Sequence, residues 1–300
     1  MIYHITHSTT YEYSSPVSLC HNLTHLTPRE GPRQRCLETN LQVTPCPAIE
    51  NAHLDYFGNP VVFFTVQEPK RHFIIKARHT VEVDPYWSPV PSETPAWQDV
   101  RDQLTVNRDA NTLEAYQYVF DSPYIRTSAD LAAFALPSFG PRRPILEAVL
   151  DLTARIYQEF AYDPKATTLS TTLAEVLAGR RGVCQDFAHL EIGCLRSLGL
   201  AARYVSGYVL TLPPEGKERL VGADASHAWL SVWCPGFGWV DVDPTNNLIP
   251  SEEHIVLGWG RDYDDVSPIK GVILGGGEHQ VKVSVDVAPI EQALLPDSRS

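Results

Sequence analysis

The sequence has no cluster of basic residues, no Cys-x-x-Cys pair, and no apolar run approaching the ~18 residues of a membrane-spanning helix. Each absence removes a class of function. Lys and Arg number 24 against 36 Asp and Glu, a formal charge of −12 at neutral pH. Such a chain repels phosphate backbones and anionic lipid, so neither nucleic acid nor a membrane is an expected partner. The opening residues, MIYHITHSTTYEYSS, lack the basic stretch and following apolar stretch of a secretory leader, and the expected compartment is the cytoplasm. Six cysteines without paired spacing imply neither a disulfide framework nor a zinc knuckle. Free thiols are expected.

What the sequence does have is two contrasting halves. With 43% hydrophobic residues, 300 positions can bury a sizeable core and suit two folding units. Residues 1–85 read as strands. Ile2 to Tyr13 alternates with a period of two and is rich in β-branched and aromatic types. The signal returns at Leu41–Thr44, at Pro60–Val66 after the turn Phe57-Gly58-Asn59, and at His72–Val83. This half is expected to be an antiparallel, sandwich-like β domain. Prolines at 85, 89, 91 and 95 then break regular structure, and residues 86–143 read as a Pro-rich connection with short helices.

From 144 to 300 helices precede antiparallel strands, the order of an α+β domain. Pro144 opens a helix in which Ile145, Val149, Leu152 and Ile156 share a face. A short helix spans Thr172 to Ala178, and another runs from Cys184 to about Leu198, stopped by Gly199. Strands are expected at Ala202–Leu210, His227–Trp233, Gly238–Asp243 and Gln280–Val287, the last assigned to this half. The acidic run Asp262-Tyr263-Asp264-Asp265 lacks calcium-loop spacing and reads as a solvated turn.

The stretch RRGVCQDFAHL places Cys184 at a helix start. A cysteine there is either a small buried hydrophobe or a thiolate favoured by unpaired N–H groups and the positive end of the helix dipole. Arg180 and Arg181 bring positive charge nearby, while Asp186 suits the dipole and reads as structural. Amide chemistry also needs a proton for the leaving amine. His189 lies roughly 140° around the helix from Cys184 and does not reach it. Cys194 is about 15 Å along the axis and reads as core.

The strands supply a better partner. In His227 to Trp233 the histidine shares a face with Trp229, Ser231 and Trp233, and in the next strand Trp239, Asp241 and Asp243 share one. If Cys234-Pro235-Gly236 is the hairpin loop, His227 faces Asp243 and Trp229 faces Asp241. Either acid could orient the imidazole, leaving its other nitrogen for a nucleophile. A metal set of Cys184, His189, His227 and Asp224 has no short ligand spacing, and no metal or cofactor is expected.

GVCQDFAHL, LGLAARYVSGYV, SHAWLSVW and GWVDVDPTNN together resemble the core of the transglutaminase-like superfamily. Tyr11-Glu12-Tyr13, Pro16-Val17-Ser18 and Asp55-Tyr56-Phe57-Gly58-Asn59 resemble the N-terminal β region of its bacterial members, and Gly260 to Val266 with Pro268 and Gly271 their C-terminal segment. The resemblance implies a papain-like fold and a Cys-His-Asp triad of Cys184, His227 and Asp243, which favours Asp243 over Asp241. It implies thioester chemistry on a peptide or protein amide, by acyl transfer or hydrolysis. The position of the papain-type oxyanion glutamine, six residues before the cysteine, holds Leu177. The second donor is then open among Gln185, Tyr162 and Tyr204. No loop matches the calcium sites of animal transglutaminases, so calcium independence is expected. The competing expectation is a non-catalytic scaffold of the same fold that binds a peptide or protein.

Overall fold

In the computed structural model, which describes residues 1–211 and 225–290, the N-terminal alternation becomes one strand of 23 residues, β1 (Ile2–Thr24). Four strands follow it: β2 (Gln34–Thr44), β3 (Ile49–Leu54), β4 (Pro60–Val66) and β5 (Lys70–Val83). The first half of β1 pairs with β5, and its second half with β4. Pairing with β5 is irregular between Glu12 and Val17, where Pro16 has no N–H to donate to a ladder. The two halves of β1 thus belong to different parts of a curled antiparallel sheet, which β2 and β3 extend at either end. Val17, Cys20, Phe64, Val66, Phe73 and Ile75 are buried together in its core.

The middle of the chain is helical: α1 (Trp97–Val106), α2 (Ala110–Tyr116), α3 (Ala129–Ala135), α4 (Ile145–Glu159), α5 (Leu173–Gly179) and α6 (Cys184–Ser197). Two-residue strands β6 (Ala161–Tyr162) and β7 (Arg181–Gly182) pair in parallel before α6. Local chemistry sets these boundaries. Asp109 and Ser128 cap α2 and α3, and Thr172 with Glu175 forms a reciprocal box on α5. Ile145, Val149, Leu152 and Ile156 of α4 are all buried, as their spacing predicts. α6 is buried from Asp186 to Arg196, and Gly199 just beyond it adopts φ 80°.

Four antiparallel strands, β8 (Ala202–Val209), β9 (Ala225–Cys234), β10 (Gly238–Val242) and β11 (His254–Gly260), form a second sheet in the order β10-β9-β8-β11. Ala228, Leu230, Val232, Val240 and Val242 share a core with α6 and α4. The α+β papain-like core and the β region before it stand as expected.

Two expectations change. The C-terminal strand, assigned above to the second half, belongs to the first sheet: β12 (Ile269–Gly275) and β13 (His279–Pro289) both pair with β1. Val285 and Val287 are buried with Tyr3, Ile5, Val81 and Val83. An alternating strand announces one buried face but not which sheet supplies its neighbour. The acidic run is only partly solvated. Asp262 is fully buried and accepts the backbone N–H groups of Tyr124 and Asp264, while Asp265 pairs with Arg261.

The two sheets meet where Tyr208, Ile255 and Leu257 pack on Tyr3, Ile5 and Val81. Polar side chains complete the junction along β11. The Gln34 amide donates to the Val256 carbonyl and accepts its N–H, each at 2.7 Å. The Asn59 amide does the same for Trp259, at 2.8 and 3.0 Å. Two side chains thus occupy backbone groups that a sheet edge otherwise leaves open.

Two outcomes follow for stability. A Cβ on Gly207 would clash with the Ile255 carbonyl and the Trp229 ring, so Gly207→Ala should lose about 1–3 kcal/mol in urea unfolding; an unchanged midpoint would refute this close approach. Burial lifts the Glu191 carboxyl, bonded by Thr153, to about 8. The folded chain then keeps a proton that the unfolded chain releases above pH ~4.3, and stability contributed here falls as pH rises from that value to about 8. Glu191→Gln should remove that slope and gain on the order of 1–3 kcal/mol at the alkaline end, read by unfolding across pH.

Candidate active site

Cys184 is the first residue of α6 and half-buried. Asp186 secures that helix start by accepting the Val183 N–H at 2.8 Å and the Thr167 hydroxyl at 2.6 Å. Gly182 permits this, because a Cβ there would lie 2.7 Å from the Asp186 carboxylate. The sulfur therefore sits among unpaired N–H groups at the positive end of the dipole. Arg180 has its side chain engaged by other partners. It adopts φ 51°, pairs with Glu159 at 2.8 Å and stacks on Phe134 and Phe160.

His227 on β9 is 8% exposed and Asp243 is fully buried. Their contact is Nε2 to Oδ2 at 2.7 Å. The hairpin count is corrected: Trp233 pairs with Trp239 and Ser231 with Asp241, so the loop is Pro235–Phe237. A shift by two preserves which residues share a face. It also places Asp243 beyond the end of β10, bridged to Leu248, from where it reaches His227 diagonally. Asp241 serves elsewhere, accepting from the Ser231 hydroxyl and from the Trp229 indole.

Burial alone would disfavour imidazolium at His227, but its hydrogen bond to Asp243 and the nearby Cys184, with their charges, outweigh this and raise its pKa. With Nε2 on Asp243, Nδ1 is the nitrogen left for Cys184. Burial would likewise raise the Asp243 carboxyl, yet hydrogen bonds from His227 and His254 hold it far below the usual carboxylate range. The other donors to it are the Thr245 and Asn246 N–H groups and the Asn246 side-chain amide.

The sequence did not single out His254, Asn246 or Trp229 as parts of this site. His254 Nε2 donates to Asp243 Oδ2 at 3.1 Å. Trp229 is fully buried, stacks on His227 at 6.0 Å and meets His254 edge-on at 5.2 Å. Its alternation with Leu230 marks a shared face with His227, the one signal available. His254 lies in β11, whose glycines at 258 and 260 obscure the strand pattern.

The remaining candidates fall apart. His189 accepts the Tyr263 N–H, lies between Tyr124 and Tyr204, and is lowered to about 3 by burial. Cys194 is fully buried and its thiol is pushed up strongly by burial. Tyr162 is exposed and Tyr204 buried, and burial followed by the Cys184 charge raises both phenols. Both therefore lie within electrostatic reach of the sulfur; Gln185 is half-buried beside it in sequence. Asp224 lies outside the described residues. Among those described, His227, Asp243 and His254 are the one trio whose ligand atoms fall within 4.8 Å of each other. Asp243 Oδ2 already receives three hydrogen bonds there, so the trio is built as a hydrogen-bonded chain.

Comparison with known proteins follows this geometry. The bacterial transglutaminase-like N-terminal region matches residues 3–82 and the transglutaminase-like superfamily matches residues 133–244. An uncharacterized protein of Mycobacterium tuberculosis strain H37Rv is 42% identical over 294 residues, covering 96% of this chain and 93% of its own. A protein-glutamine gamma-glutamyltransferase of Pseudomonas aeruginosa is 36% identical over 107 residues, 33% of this chain and 16% of that protein. In structure, a candidate cysteine protease of Cytophaga hutchinsonii superposes with a TM-score of 0.77 at 24% identity, covering 99% of this chain and 93% of that one; at that identity the likeness is one of fold. The chain belongs to the transglutaminase-like superfamily, with the bacterial N-terminal β region preceding its core.

Proposed function

We propose that the protein is a thiol enzyme acting on amide bonds of peptides or proteins, with Cys184 as nucleophile, His227 as general acid and base, and Asp243 as the residue that orients the imidazole. The observation that carries this reading is the 2.7 Å hydrogen bond between a buried His227 and Asp243, with Cys184 at a helix start close enough to raise the imidazole pKa. Cys184 Sγ attacks the carbonyl carbon and a C–S bond forms. The His227 Nδ1 proton passes to the leaving nitrogen as the C–N bond breaks, giving a thioester and free ammonia or amine. A primary amine or water, losing its proton to the now neutral His227, then attacks the thioester carbonyl; the C–S bond breaks and the Cys184 thiolate is released beside the imidazolium. The Cys184 N–H is one donor for the oxyanion, and the Tyr162 phenol, exposed beside it, is offered as the second.

The glutamine side chain is the favoured amide, supported by the partial likeness to a protein-glutamine gamma-glutamyltransferase. The reading places the enzyme in the cytoplasm, where its free cysteines stay reduced. No helix among the described residues is long and apolar enough to cross a membrane.

The decisive experiment incubates wild type and Cys184→Ala with a glutamine-containing peptide library, with and without a primary amine, and reads product masses. Deamidation, amine incorporation or backbone cleavage in wild type alone supports the enzyme; identical product masses from wild type and Cys184→Ala support the scaffold. A second measurement follows His227. Because its imidazolium is stabilised beside the sulfur, Cys184 should alkylate with iodoacetamide at pH 7 about ten-fold or more faster than in His227→Ala. That advantage should vanish as pH rises past ~8.5, where a free thiol ionises unaided. Site-resolved labelling at equal rates in both proteins at pH 7 would contradict the assigned pair.

A further inference from the structure

The hydrogen bonding that begins at His227 does not stop at Asp243. His254 extends it to the wall of a cavity of about 480 Å³, which Cys184 and His227 do not line. That volume falls within the ~300–1,000 Å³ of small-molecule sites. Arg29, Arg33, Arg203, Trp239 and Trp259 line it with His254. The guanidinium groups are already held in place: those of Arg29 and Arg203 lie 3.6 and 3.8 Å from the Trp259 ring centre, and that of Arg33 lies 4.2 Å from that of Tyr86.

Three of these lining residues each carry a buried polar atom with no hydrogen-bond partner among the described residues: Arg29 Nε, Arg33 Nε and His254 Nδ1. Such groups cost free energy unless something meets them. The arginine atoms are obligate donors and call for an acceptor. His254 is only 5% exposed and donates through Nε2 to Asp243, so in its neutral form Nδ1 is an acceptor that calls for a donor. Glu114 and Asp241, also on the walls, favour a positively charged one.

We propose that this cavity binds a small organic carboxylate that bears an amino group, with the carboxylate on Arg29 and Arg33 and the amine on His254. Its occupancy reaches the triad through the His254–Asp243 hydrogen bond, a coupling that rests on the triad reading given above, whereas the binding does not.

The test titrates the full chain with L-phenylalanine, benzoate and benzylamine, which carry both groups, the carboxylate alone and the amine alone. Trp239 and Trp259 line the cavity, so tryptophan fluorescence reports binding. L-phenylalanine should saturate the change about ten-fold more tightly than either half-ligand, and Arg33→Ala should weaken it about ten-fold. Arg33→Lys, which keeps the charge but removes the Nε donor, gives the same reading should the alanine variant melt early. No saturable change with any probe, or unchanged affinity in a folded Arg33 variant, overturns the site. Benzoate binding as tightly as L-phenylalanine overturns the amine half. Saturating L-phenylalanine should change the iodoacetamide rate at Cys184 about two-fold or more; a bound protein with an unchanged rate overturns the coupling alone.

Discussion

A carboxylate taken wholly out of water either gathers enough donors to keep its charge or takes up a proton. Asp243 gathers five hydrogen bonds, from two imidazoles, two backbone N–H groups and one side-chain amide. Much of the second half can be understood as the scaffolding of that arrangement. β9 delivers His227, β11 delivers His254, and the turn after β10 supplies Thr245 and Asn246. Charge held at Asp243 is what makes imidazolium tolerable at a buried His227, and in the proposed reaction that imidazolium is the partner of the Cys184 sulfur. The helix start adds the final contribution through backbone groups rather than through a cationic side chain, Arg180 being turned away to Glu159.

The N-terminal sheet is bound up with the same arrangement. β11, which carries His254, is an edge strand, and Gln34 and Asn59 bond its exposed backbone. Tyr208, on the neighbouring β8, bonds His7 of β1 at 2.9 Å. The β region therefore braces the outer strand of the second sheet. The Asp55–Asn59 turn earns its motif from this contact: Gly58 takes φ 74° and Asp55 holds Asn59 so that its amide faces Trp259.

The residues legible in sequence were those whose role follows from local period or local capping. α4 and α5 appear where spacing and caps put them, and Cys184 stands at the start of α6. Parity placed His227 and the acids on one face even though the hairpin register was off by two, because a shift of two leaves faces unchanged. What was not legible depends on distance along the chain. Nothing local in His254 tells that it will share a carboxylate with His227, and nothing local in β13 tells that its buried face meets β1. The buried Asp262 resembles any surface acid until Tyr124, 138 residues away, donates to it.

The placement of β12 and β13 governs how such a chain must assemble. β1 is synthesised long before residues 269–289, yet these cover one of its edges. Throughout synthesis of the helices and the second sheet, that edge stands open as a template for any passing strand. The segments between are thus enclosed by strands far apart in sequence, and a chain stopped after the triad would carry every proposed catalytic group while leaving β1 unpaired on one side.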